Sequence, residues 1–102
     1  MQKILQNKLA DLKALCSKLG VKKMYVFGSA VKGKFTEKSD IDFLISFTDK
    51  LSIEEYTENY FSLHYKLQEL FKRKIDLVTE SSLSNPYFIE SVDESKQLIY
   101  EA

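Results

Sequence analysis

Asp40-Ile41-Asp42-Phe43-Leu44-Ile45-Ser46-Phe47 alternates without a break, with Ile41, Phe43, Ile45 and Phe47 on one side of an extended chain and Asp40, Asp42, Leu44 and Ser46 on the other. A period of two predicts a strand, and its apolar side suits a helix laid across it. The opposite side carries two carboxylates roughly 7 Å apart along the strand, at about 3.3 Å of rise per residue.

On the N-terminal side, Met24-Tyr25-Val26-Phe27 is short, β-prone and bounded by Gly28, and predicts a buried strand. Before it, from Gln2 to Leu19, the residues Ile4, Leu5, Leu9, Leu12, Leu15, Cys16 and Leu19 recur at three-to-four spacing with lysines and Asp11 in the gaps. That pattern predicts one amphipathic helix, stopped at Gly20 by a left-handed cap. On the C-terminal side, Ser52 and Glu55 form a capping box and Leu51 with Tyr56 a hydrophobic staple. Ile53, Tyr56, Tyr60, Leu63, Leu67 and Leu70 then carry a helical stripe to about Lys72. Ile75-Asp76-Leu77-Val78-Thr79 reads as a further strand, with Asp76 on the side of Val78 and against Ile75 and Leu77. Asn85-Pro86 predicts a helix start, and Leu98-Ile99-Tyr100 a short closing edge strand. The order α-β-β-α-β-α predicts the α/β (α+β) class, a small mixed β-sheet packed with helices, as a single domain over residues 1–102.

Composition narrows the possible functions. Fifteen basic residues cancel fifteen acidic ones, so no broad field attracts a phosphate backbone and direct DNA binding is not expected. The lone cysteine, Cys16, falls in the leucine stripe and reads as a core thiol. The N-terminal stretch alternates lysine with leucine, so neither a signal peptide nor a membrane span is readable and the expected location is cytoplasmic.

Three aspartates on strands flanked by apolar residues need an explanation, because burying unpaired carboxylates costs several kcal/mol each. Asp40 and Asp42 follow Gly28-Ser29 after ten intervening residues, Ala30 to Ser39. This spacing, in GSAVKGKFTEKSDIDFLI, resembles the nucleotidyltransferase superfamily that includes DNA polymerase beta, and in particular its minimal branch. The resemblance runs from the first helix to the terminal Leu-Ile-Tyr-Glu, and implies a polymerase-beta-like nucleotidyltransferase fold.

It also implies a chemistry. Gly28 and Ser29 would cradle the triphosphate, where a glycine lets the backbone approach phosphate and Ser29 opens a short helix. Asp40, Asp42 and Asp76 would be the catalytic carboxylates and would hold two magnesium ions. The donor would be ATP and the group moved AMP. Lys32, Lys34 and Lys38 either neutralise phosphate charge or form a solvated basic loop; Lys32 is counted with Gly28 and Ser29 as a nucleotide-binding residue. Relatives often carry arginine after Gly-Ser, where this sequence has Ala30, and an arginine-glycine pair where it has Lys32-Gly33. The carboxylates are kept in full.

A chain of this size has little sequence for an acceptor-binding lobe. Minimal members of the branch are commonly encoded beside a helical HEPN-domain ribonuclease toxin, so the resemblance implies an antitoxin that transfers AMP to a tyrosine of that partner. Two other readings stay open: a non-catalytic antitoxin that masks its partner by contact, using Tyr87, Phe88 and Tyr100, and a catalytic subunit that modifies a small molecule such as an aminoglycoside. Homo- or hetero-oligomers are both compatible with the sequence. His64 reads as a half-buried structural histidine and Tyr56, Tyr60 and Tyr65 as packing residues. Gly33 reads as a turn, and Glu37 as a loop acid without a task.

Overall fold

The computed structural model describes residues 2–33 and 35–102. The described residues form one four-stranded mixed sheet in the order β3-β2-β1-β4. Strand β1 (Val21–Phe27) pairs antiparallel with both β2 (Ile41–Phe47) and β4 (Gln97–Glu101), while β3 (Ile75–Thr79) runs parallel to β2. The parallel pair requires a long crossover, which α4 (Ile53–Phe71) provides. The predicted strands are all present, and β1 begins three residues earlier than Met24, directly after Gly20 at φ 75°.

The N-terminal helix differs from expectation. It divides into α1 (Lys3–Asn7) and α2 (Leu9–Lys18), with Lys8 at φ −109° between them. No glycine or proline marks the break; Asn7, a weaker helix former than its neighbours, ends the first segment. Leu5, Leu12 and Cys16 are nevertheless all buried. Burial pushes the Cys16 thiol up to about 12, so at neutral pH it is the unreactive core group that was expected.

The main core lies on one sheet face. Met24, Val26, Ile41, Phe43, Ile45, Ile75, Leu77 and Ile99 pack there against Leu5, Leu12, Leu63, Leu67 and Phe71. Helix α4 is started by the predicted capping box, with Ser52 Oγ accepting from Glu55 N and Glu55 Oε1 accepting from Ser52 N, both at 3.1 Å. It ends at Lys72, which adopts φ 53°, the only left-handed residue that is not glycine among the described residues.

The second face is only partly covered. Helix α5 (Pro86–Ser95), capped by Asn85 Oδ1, sets Val92 against Phe27 and Leu44, with Tyr25, Val78 and Leu83 around them. The polar side expected of the 40–47 strand therefore contains a buried leucine. Beyond this small cluster, the sheet face carrying the aspartates is open. At the far end of β3, Ser82 Oγ donates to Thr79 O at 2.8 Å.

Candidate functional site

The site lies where β1 ends and β2 and β3 begin. The pairing register places Phe27 opposite Asp42 and Asp42 opposite Asp76. Residues directly opposite across a ladder point to the same face, so one row of the sheet carries an aromatic and two acids side by side. Asp42 is half-buried and Asp76 exposed. Burial, the charge of Asp76, a hydrogen bond with Asp76 and the charge of Asp40 together raise the Asp42 carboxyl to about 6. Each cause disfavours a second negative charge at this point, which is the electrostatic condition that a cation relieves.

Asp40 precedes β2 and stands at the edge of this group. Its Oδ2 lies 3.8 Å from Lys74 Nζ, a solvent-facing pair of little strength. Among the described residues no three histidine, cysteine or acidic side chains are gathered as a formed metal nest. Of the three predicted ligands, Asp42 and Asp76 are thus directly paired, while Asp40 turns toward Lys74. Their chemistry suits magnesium, since all the donors are hard carboxylate oxygens and the crowding of negative charge that raises Asp42 marks a place where positive charge is favoured.

Gly28 closes the site from the β1 side. It has φ 73° and ψ −143°, a conformation for which glycine is needed. A Cβ on this residue would stand 2.5 Å from Asp42 Oδ2. The backbone therefore meets the Asp42 carboxylate directly, a neighbour other than the phosphate for which the sequence reading reserved this glycine. Ser29 opens the short helix α3 (Ser29–Lys32), held by Val31 N and Lys32 N donating to Gly28 O at 3.0 Å. Ala30 is buried in the core. Lys32 and Lys38 are exposed, and Lys34, the third lysine of the predicted phosphate-neutralising loop, lies outside the described residues.

Two residues of this region carried no signal in the sequence. Ser95, buried on α5, accepts from Gly28 N at 3.2 Å and donates to Ser91 O at 3.3 Å. Arg73, the sole arginine, donates from Nη1 to Thr36 O at 3.1 Å and Ser39 O at 3.0 Å, and stacks 4.5 Å from the Phe35 ring centroid. It ties the loop before Asp40 to the segment before Asp76. A lone arginine near a helix end and a serine in an amphipathic helix have no local pattern that announces such contacts.

The remaining candidates have settled places. His64 and Tyr60 are half-buried beside β3, and Tyr56 packs edge-on against Phe47 at 4.8 Å between centroids. Tyr65 is 62% exposed, against the expectation that it packs, because α4 turns this face to solvent. Tyr87 and Phe88 are exposed as predicted; Tyr100 is instead half-buried against the core, drawn in by the pairing of β4 with β1. A cavity of about 390 Å³ lies at the opposite end of β2, lined by Ser46, Thr48, Asp49, Tyr56 and Glu80 among others, and shares no lining residue with the carboxylates. No helix among the described residues is long and apolar enough to cross a membrane.

Known proteins resemble this chain in sequence and in fold. The profile of the nucleotidyltransferase domain matches residues 12–99. A Methanocaldococcus jannaschii relative that bears the provisional name of protein adenylyltransferase is 39% identical over 88 residues, which cover 86% of this chain and 84% of the relative. The protein adenylyltransferase MntA of Thermococcus cleftensis is 37% identical over 76 residues, 74% of this chain and 73% of that protein. Among solved structures, a chain from a mutant form of the toxin-antitoxin pair MntA-HpeT has a TM-score of 0.66 at 26% identity, covering 95% of this chain and 72% of that one.

Proposed function

The chain belongs to the nucleotidyltransferase domain family, and from that premise we propose that it moves AMP from ATP to a tyrosine hydroxyl of a HEPN-domain toxin and so serves as its antitoxin. The observation that carries this reading is the register of Asp42 and Asp76 beside Gly28, which joins two carboxylates to a backbone turn open to phosphate. The relatives named as protein adenylyltransferases and the toxin-antitoxin structure support the choice of acceptor.

In this scheme the Gly28-Ser29 turn receives the triphosphate, and the absence of a Cβ keeps it close to Asp42. Asp40, Asp42 and Asp76 would hold two magnesium ions, which would supply charge neutralisation at the phosphates and acidify the acceptor hydroxyl. The acceptor oxygen attacks the α-phosphorus in line, the bond to the β-phosphate bridging oxygen breaks, and pyrophosphate leaves. Asp76, the most open of the three, takes the hydroxyl proton. Asp40 joins the set by leaving its weak contact with Lys74.

The test uses α-labelled ATP, magnesium and the toxin. Label should pass to the toxin with the wild type and not with Asp40→Ala. A second reading, masking by contact alone, is favoured by the exposure of Tyr87 and Phe88. Neutralisation that survives in Asp42→Ala without any label transfer would select it over the enzymatic reading.

A further inference from the structure

Two side chains of α4 grip the outer rim of β3 and take no part in the scheme above. Lys74 O accepts from Ile41 N of β2 at 3.3 Å. Successive carbonyls of a strand point in opposite directions, so those of Ile75 and Leu77 turn away from β2. These are the two that α4 engages. Tyr60 Oη donates to Leu77 O at 2.7 Å, and His64 Nε2 lies 2.9 Å from Ile75 O. A carbonyl only accepts, so the imidazole carries its proton on Nε2.

The spacing explains why both contacts form together. Four residues of helix rise about 6 Å and two residues of strand about 6.6 Å, so an i, i+4 pair on α4 matches alternate residues on β3. Asp76 is the residue between them. His64 holds the peptide unit that leads into Asp76, and Tyr60 holds the one that follows Leu77.

We propose that Tyr60 and His64 are positioning residues for the transfer: they fix the backbone of β3 on both sides of Asp76, so that its carboxylate keeps register with Asp42. This rests on the role given to Asp76 above. Neither side chain is assigned a contact with the nucleotide in that scheme. Attachment of β3 to the core does not depend on them, because Ile75 and Leu77 are already buried by their own side chains. What the hydrogen bonds add is the orientation of the peptide planes.

The experiment compares Tyr60→Phe, His64→Leu and His64→Gln with the wild type and with Asp42→Ala, following label from α-labelled ATP to the toxin in magnesium. Because a small misplacement of a reacting group is costly, kcat should fall about 10-fold or more in Tyr60→Phe and His64→Leu. KM for ATP should stay within about twofold, since nucleotide binding is left intact. His64→Gln restores an N–H donor and should recover most of the loss. Wild-type kcat in Tyr60→Phe and His64→Leu, or equal losses in His64→Leu and His64→Gln, would overturn the positioning role while leaving the transferase reading in place. No transfer by the wild type itself would remove that reading and the positioning role with it.

Discussion

Gly28 approaches Asp42 so closely that a Cβ on the glycine would lie 2.5 Å from the carboxylate Oδ2. Gly28→Ala therefore has two faults, a left-handed φ of 73° and a collision with a charged side chain. Strain of this kind costs about 1–3 kcal/mol. Thermal melting should show that loss, and titration with ATP in magnesium should show weakened binding. An unchanged melting curve would mean that Asp42 has room to withdraw.

The proton on Asp42 makes stability depend on pH. Its folded carboxyl sits near 6 against an ordinary 3.8, so the folded state binds this proton more tightly than the unfolded chain does. Stability from this group is full below 3.8 and is lost as pH rises through about 6. In a chelator, Asp42→Asn should melt higher than the wild type at pH 7.5, and the difference should vanish below about pH 4. A constant difference across that range would rule out the shifted carboxyl.

Removal of the acceptor's proton is assigned to Asp76. Asp76→Asn should lower turnover by about 10²–10⁴-fold, the range for loss of a general base, with a much smaller effect on ATP binding. Calorimetric titration beside single-turnover kinetics separates the two quantities. Equal losses in both would reassign Asp76 to nucleotide binding alone.

Arg73 carries the loop that ends at Asp40. Arg73→Lys loses the planar fork that reaches Thr36 O and Ser39 O, and the stacking on Phe35. A stability loss of about 1–2 kcal/mol is expected from two hydrogen bonds. Amide exchange should quicken at Ser39 and Asp40 while β1 stays protected; uniform loosening of the sheet would instead point to a general role in the core.

Magnesium with ATP should raise the melting temperature if, as proposed, both bind to the folded chain at the carboxylates, and saturation at 100 times the dissociation constant corresponds to about 2.7 kcal/mol. The shift should disappear in Asp42→Ala. Its persistence there would place the nucleotide elsewhere.

Much of this arrangement was legible before any coordinates. Alternation in 40–47 and 75–79 fixes which way Asp42 and Asp76 face, and a capping box is written within four consecutive residues. The break at Lys8 was not legible, because no residue there forbids a helix and the bend answers to packing of the whole layer. Leu44 looked like an odd apolar member of a polar side until α5 was seen to cover it. Arg73 and Ser95 are bound to residues 34 to 67 positions away, and such pairs follow from topology alone. Asp40 was expected among the metal ligands, but what the sequence did not show was its lean toward Lys74, a neighbour only because β2 and β3 run parallel.

The outer rim of β3 has one further consequence. Tyr60, His64 and Ser82 occupy the outward carbonyls of Leu77, Ile75 and Thr79 in turn. A sheet margin whose acceptors are already engaged is a poor template for strand addition by another chain, and so is guarded against edge-to-edge aggregation. Growth of the sheet is thereby directed to the β4 margin, on the side of the molecule away from the aspartates.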